Sequence, residues 1–102
     1  MKVTLRSLEL GSIPHVVAVL DRPVPLERIR ILTEEGVDIF EIRADLFGEP
    51  FARIIDYANE LRHRCVSPLI GTIRSTADND GRRLSMFAEL VPLVDCVDIE
   101  ID

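Results

Sequence analysis

Residues 38 to 47 read DIFEIRADLF and set Glu41, Arg43 and Asp45 two apart among apolar neighbours. Alternate side chains of a β-strand share a face, so these charges stand with Ile39 on one side. Phe40, Ile42, Ala44 and Leu46 take the other. The pattern recurs downstream. In LIGTIRS, residues 69 to 75, Ile70, Thr72 and Arg74 share a face; in CVDIEID, residues 96 to 102, Asp98, Glu100 and Asp102 oppose Val97, Ile99 and Ile101. A guanidinium at a strand end offers a fixed fork of donors suited to carboxylates and hydroxyls. A glutamate beside it can orient that fork or accept from a substrate hydroxyl. Glu41, Arg43 and Arg74 therefore form a candidate substrate-binding set. Asp45 and Asp98 are equally well placed to be rungs of a salt-bridge ladder, since buried ions need partners. A third arrangement uses two facing carboxylates, Glu41 with Asp98 or Glu100, for proton transfer.

The surrounding pattern says what positions these groups. Val3, Leu5, Leu8 and Leu10 alternate about Arg6-Ser7, which predicts a short hairpin. HVVAVL, residues 15 to 20, is a continuous apolar run of the kind found in strands covered on both faces. Pro25 suits a first helical turn, Leu26, Ile29, Ile31 and Leu32 carry the helical spacing, and Gly36 stops it. Phe51, Ile54, Ile55, Ala58 and Leu61 predict an amphipathic helix; Leu84, Phe87, Leu90 and Val91 predict a shorter one ended by Pro92. TADNDG, residues 76 to 81, reads as a polar loop. The order is a hairpin over 1–13 followed by β-α-β-α-β-α-β over 14–102, a single domain with a parallel sheet. Strands with one apolar and one charged face do not suit a doubly wound sheet, where helices cover both sides. They suit a barrel with helices outside and polar groups inside, near the carboxyl ends of the strands.

Composition narrows the chemistry. The 102 residues are 47% hydrophobic and 29% charged, ordinary for a globular domain, with net charge −6. No lysine/arginine stripe appears and the five aromatics (four Phe, one Tyr) are scattered, which excludes a phosphate-tracking nucleic-acid surface. Cys65 and Cys96 lack metal-ligand spacing and read as buried free thiols of a reducing cytoplasm. No metal site is predicted. No apolar leader or long apolar run is present, so neither secretion nor a membrane partner is expected.

Four segments resemble one family in register. FEIRADLF is similar to the E-[LWI]-R-x-D segment of type I 3-dehydroquinate dehydratases, SPLIGTIRS to that family's PLLFTxRS strand, and DCVDIEID to its VDxEL strand. VTLRSLELG with PHVVAVL resembles its opening hairpin and first barrel strand. The resemblance implies a (β/α)8 TIM-type barrel, of which this chain would hold the first four strands plus the hairpin. It implies dehydration of 3-dehydroquinate to 3-dehydroshikimate, a step of the shikimate pathway toward aromatic amino acids, through a lysine Schiff base with a histidine as general acid/base. No cofactor is implied. By position Glu41, Arg43 and Arg74 match substrate-binding residues, and Asp78 falls where the family has a glutamate supporting its histidine.

The family's histidine and lysine follow the VDxEL strand, in which this chain ends. The single lysine, Lys2, lies in the hairpin; His15 and His63 lie at a strand start and near a helix end. None matches the catalytic pair. Imine formation needs an amine of lowered pKa, which arginine cannot replace. The chain alone is therefore expected to hold no catalytic residue and to be inactive. Four strands with two open edges and a bare inner face require a partner, either a missing half-barrel or a second copy. Two functions stay open: a segment of the dehydratase, or a non-catalytic half-barrel that self-associates and binds a polyhydroxy acid.

Overall fold

A computed structural model describes residues 3–11 and 13–100; Lys2, Ile101 and Asp102 lie outside them. Strands β1 (Val3–Leu5) and β2 (Leu8–Leu10) pair antiparallel. Strands β3 (Val17–Leu20), β4 (Ile39–Arg43), β5 (Leu69–Thr72) and β6 (Cys96–Asp98) follow as a parallel sheet in that spatial order. Between them run helices α1 (Leu26–Glu34), α2 (Phe51–Arg64) and α3 (Arg83–Leu90). Short 3-10 turns follow β4 at Ala44–Leu46 and α3 at Val91–Leu93.

Register sorts the sheet into two faces. Ala18 pairs with Phe40 and Phe40 with Leu69; Leu20 pairs with Ile42, Ile42 with Gly71 and Gly71 with Val97. This apolar face packs on Ile29 of α1, Ile54, Ala58 and Leu61 of α2, and Phe87 and Leu90 of α3 in one core. The opposite face carries Val17, Val19, Ile39, Glu41, Arg43, Ile70, Thr72, Cys96 and Asp98. Among the described residues no helix lies over it: Val17 and Val19 are 43% and 52% exposed. Strand β3, whose composition suggests cover on both faces, is thus covered on one.

Local geometry departs from simple alternation at three points. Strand β4 stops at Arg43, and the 3-10 turn that follows advances about three residues per turn. Leu46, expected beside Phe40 and Ile42, is consequently exposed and Phe47 is buried in its place. Helix α3 turns Met86, Phe87 and Leu90 inward together with Arg83; Leu84 and Val91, expected in the core, point outward. Beyond Asp98 the extended pairing of β6 ends, and Ile99, also expected on the apolar face, is exposed.

Two devices hold the ends of elements. Helix α1 closes in a Schellman motif: the Val37 N–H donates to Leu32 O at 3.0 Å and the Gly36 N–H to Thr33 O at 3.1 Å. Gly36 supplies the required positive φ of 114°. At the amino-terminal ends of the strands, Arg6 sits at the hairpin turn with φ 53°. Its Nε donates to both carboxylate oxygens of Asp95 at 3.1 Å, and its Nη1 to Cys65 O at 2.7 Å. Asp95 also accepts from Leu69 N at 2.7 Å, so one carboxylate joins the hairpin to the starts of β5 and β6. His15 adds a second tie, with Nε2 2.9 Å from Glu9 O and Nδ1 3.4 Å from Asp38 Oδ2.

Gly71 marks the tightest helix–sheet contact. A Cβ there would lie 2.7 Å from Leu90 Cδ2, 3.1 Å from Leu90 Cγ and 3.3 Å from Val94 Cγ2. Leu90 is fully buried, so relief of the contact would have to come from within the packed core. Gly71→Ala is expected to lower stability by about 1–3 kcal/mol through overpacking. Urea unfolding should show this as a lower midpoint at unchanged slope; an unaltered midpoint would refute the close approach of α3 to β5.

Candidate active site

The carboxyl ends of β4, β5 and β6 bring the ionic groups together. Arg43 is the last residue of β4 and is in register with Thr72, the last of β5, which is in register with Asp98, the last of β6. One residue pair deeper, Glu41 stands beside Ile70. The Thr72 hydroxyl donates to Glu41 Oε2 at 2.6 Å. Thr72 is only 2% exposed, so this bond fixes Glu41 from the neighbouring strand.

Asp45 belongs to the 3-10 turn after β4, not to the strand. The turn folds its carboxylate back under Arg43. Arg43 Nε donates to Oδ1 at 3.2 Å and Nη2 to Oδ2 at 2.8 Å, a bidentate pair. The backbone N–H of Arg74 donates to Oδ1 at 3.1 Å. With its side chain 3% exposed, Asp45 thus joins the ends of β4 and β5. Burial pushes this carboxyl up, but the Arg43 guanidinium and the Arg74 N–H outweigh it and hold it below the usual carboxylate range. The same bond to Asp45 raises Arg43 against its own desolvation, with Glu41 and Glu100 adding attraction.

Arg74 lies two residues beyond β5, so the loop places it, not strand alternation. The loop is organised by Asn79, which is buried. Asn79 Oδ1 accepts from Thr76 N at 2.9 Å, its own N–H donates to Thr76 Oγ1 at 3.2 Å, and Nδ2 donates to Arg74 O at 2.8 Å. The Arg74 guanidinium, 49% exposed, reaches Glu100 Oε2 at 3.7 Å. Glu100 Oε1 accepts from Ser75 N at 2.7 Å and is 3.4 Å from Arg83 Nη1.

Glu41, Arg43, Asp45, Arg74 and Glu100 therefore gather at one end of the sheet. Asp98 faces the same side and is exposed. Asp78 is set apart: it lines a cleft of ≈ 420 Å³ with Asp45, Thr76, Asn79 and Arg82, a lining that includes neither Glu41 nor Arg43 nor Arg74. Its backbone oxygen accepts from Arg82 Nη2. His63 is exposed on α2 with Nδ1 2.7 Å from Asn59 O. Both cysteines are free; Cys65 is buried, whereas Cys96 is half-buried on the inner face, its thiol pushed up by burial and by Asp95, Asp98 and Glu41. Among the described residues no group of three His, Cys, Asp or Glu side chains is arranged to hold a metal ion, and no helix is long and apolar enough to cross a membrane.

Three contributors fall outside the candidate set read from the sequence. Thr72 shows in the strand pattern but not as a partner of Glu41. Arg83 is hidden by Leu84, whose apolar character points to the wrong helix face. Asn79 had a signal in the Thr-x-x-Asn spacing of TADN, which suits a side-chain-stabilised turn.

A parallel sheet with one dry, helix-covered face and guanidinium–carboxylate clusters at its strand carboxyl ends defines the protein class: an α/β domain with a charged cluster at one end of its sheet. The type I 3-dehydroquinase family profile matches residues 17–102, and the chain belongs to that family. It is 32% identical over 108 residues to the 3-dehydroquinate dehydratase of Methanothrix thermoacetophila, covering 95% of this chain and 45% of that protein. To the 3-dehydroquinate dehydratase of Methanococcoides burtonii it is 30% identical over 105 residues, covering 94% of this chain and 44% of the relative. The chain thus spans less than half the length of these curated relatives. No solved structure matches it at comparable significance.

The Asp45 clamp makes acid stability a direct test. Its carboxyl titrates lower folded than the roughly 3.9 of a free aspartate, so its contribution is full above that value. It is lost as pH falls through the lower folded value. Asp45→Asn should destabilise the chain at pH 7 and flatten the loss of stability below pH ~4. Identical pH profiles for the two proteins would contradict the clamp.

Proposed function

We propose that this chain supplies the amino-terminal half of a (β/α)8 barrel that dehydrates 3-dehydroquinate to 3-dehydroshikimate in the cytoplasmic shikimate pathway. Residues 1–13 form the hairpin at the barrel base and residues 14–102 the first four strands. The observation that supports this most is the convergence of Glu41, Arg43 and Arg74 at one end of a parallel sheet in a chain of this family.

In this reading Arg43 and Arg74 donate to the hydroxyls and carboxylate of the bound polyhydroxy acid. Glu41, held by Thr72, accepts from a hydroxyl. Asp45 supports Arg43, and Asp78 stands by the general acid/base. The reaction needs an amine that attacks the ketone and expels water as the imine forms. A base then takes the proton from the neighbouring carbon while the β-hydroxyl, protonated, leaves as water, and hydrolysis of the product imine consumes one water, releases the enone and frees the amine. We assign both amine and base to residues outside 1–102; Lys2, His15 and His63 serve neither role. The residues of this chain bind and orient, so their share of the rate is positional.

Borohydride reduction of a protein containing residues 1–102 in the presence of 3-dehydroquinate should trap a substrate adduct on a lysine. Arg43→Ala and Arg74→Ala should each lower kcat/KM by roughly tenfold to a hundredfold, the worth of a charge-assisted hydrogen bond. A dehydrating enzyme that yields no trapped imine would overturn the Schiff-base assignment.

A second reading rests on the inner face. Exposed Val17 and Val19 and the open outer edges of β3 and β6 leave apolar and hydrogen-bonding surface that a second copy would cover. Sedimentation velocity on the 102-residue chain separates the two. Under this reading it sediments as a dimer, and a stable folded monomer rules self-closure out.

A further inference from the structure

Arg74 has one side-chain partner among the described residues, Glu100 at 3.7 Å, and is otherwise solvent-facing. Glu100 is therefore the one side chain among the described residues that biases the direction of its guanidinium. Glu100 follows the last residue of β6 by two and is not held by sheet pairing. Its carboxylate accepts a hydrogen bond from the Ser75 N–H at 2.7 Å and is ion-paired with the Arg83 guanidinium at 3.4 Å.

Arg83 is itself partly buried. It shares the inward side of α3 with Met86, Phe87 and Leu90, its side chain is 25% exposed, and its Nε is buried without an acceptor. An orphaned buried donor is unfavourable and calls for an explanation. Here the partly buried side chain turns its Nη1 toward Glu100 and leaves Nε unpaired. A free surface arginine would swing to satisfy all its donors in water.

We propose that Arg83 is a positioning residue for Arg74, acting through Glu100. The sequence of contacts runs from the packed face of α3 to Arg83, to the Glu100 carboxylate, to the Arg74 guanidinium. Glu100 carries a second part of the load, because its bond to Ser75 N–H also pins the backbone next to Arg74. Arg43 has its own hydrogen-bonded partner, Asp45, so the two guanidiniums contact different carboxylates within one charged cluster. The inference rests on Arg74 as a ligand-binding residue, but its structural half does not depend on which ligand is bound.

The test uses the 102-residue chain, the Nε–Hε NMR signals of its arginines, and quinate as the polyhydroxy-acid probe. In Arg83→Gln the heteronuclear NOE of Arg74 should fall toward that of an exposed arginine such as Arg62, with Arg43 unchanged. Quinate affinity should weaken about tenfold, as expected for a misdirected charge-assisted contact. In an Arg74→Ala background the same substitution should change affinity less than about twofold, because effects routed through one residue do not add. Glu100→Gln, which keeps an oxygen for Ser75 N–H, provides a gentler variant and should reproduce the loss of Arg74 order. Unchanged Arg74 order in both variants, or an equal loss of affinity without Arg74, overturns the inference. Failure of the wild-type chain to bind quinate would instead count against a ligand subsite formed by this half alone, and the NOE comparison would still decide the role of Arg83.

Discussion

The site depends on one buried carboxylate. Asp45 sits under the end of β4, grips the Arg43 guanidinium with both oxygens and takes the backbone N–H of Arg74. A carboxylate this dry is costly to bury unless it is paired and hydrogen-bonded. Three donors meet that requirement, and in doing so they hold two strand ends at one spacing. Beyond the strand pairing itself, Asp45 gives the side chain of Arg43 and the loop carrying Arg74 a shared hydrogen-bond partner.

The opposite end of the sheet follows the same logic. Asp95 receives Arg6 from the hairpin and Leu69 N–H from the start of β5, and Cys65 O receives the remaining reach of Arg6. Polar clamps thus finish both ends of the sheet, and the apolar core lies between them, on one side only. The other side holds Glu41, Thr72 and Asp98 alongside Val17, Val19 and Ile39. This face mixes charged, polar and exposed apolar groups, and among the described residues no helix covers it.

Much of the fold was legible. The hairpin about Arg6-Ser7, the parallel order of strands and the helices begun after Pro25 and Pro50 all follow from turn residues and period. The clustering of Glu41, Arg43 and Arg74 was legible too, though for partly the wrong reason: alternation places Glu41 and Arg43, while the loop built on Asn79 places Arg74. Leu46, Leu84, Val91 and Ile99 were misjudged by face. Each lies where a strand or helix begins, ends or changes pitch, and a period extrapolated past such a point assigns the side chain to the wrong side.

By itself the sequence determined the family, the element order and which strands carry a charged face, because period and turn chemistry are local properties of the chain. Only the tertiary structure decided which carboxylate serves which guanidinium: Asp45 for Arg43, Glu100 for Arg74 and Arg83, Asp95 for Arg6, Glu41 for Thr72. Any acid in this chain is chemically competent to pair with any arginine. The choice falls to strand register and loop path, which bring residues as far apart as Arg6 and Asp95 within hydrogen-bond reach and keep others out of it.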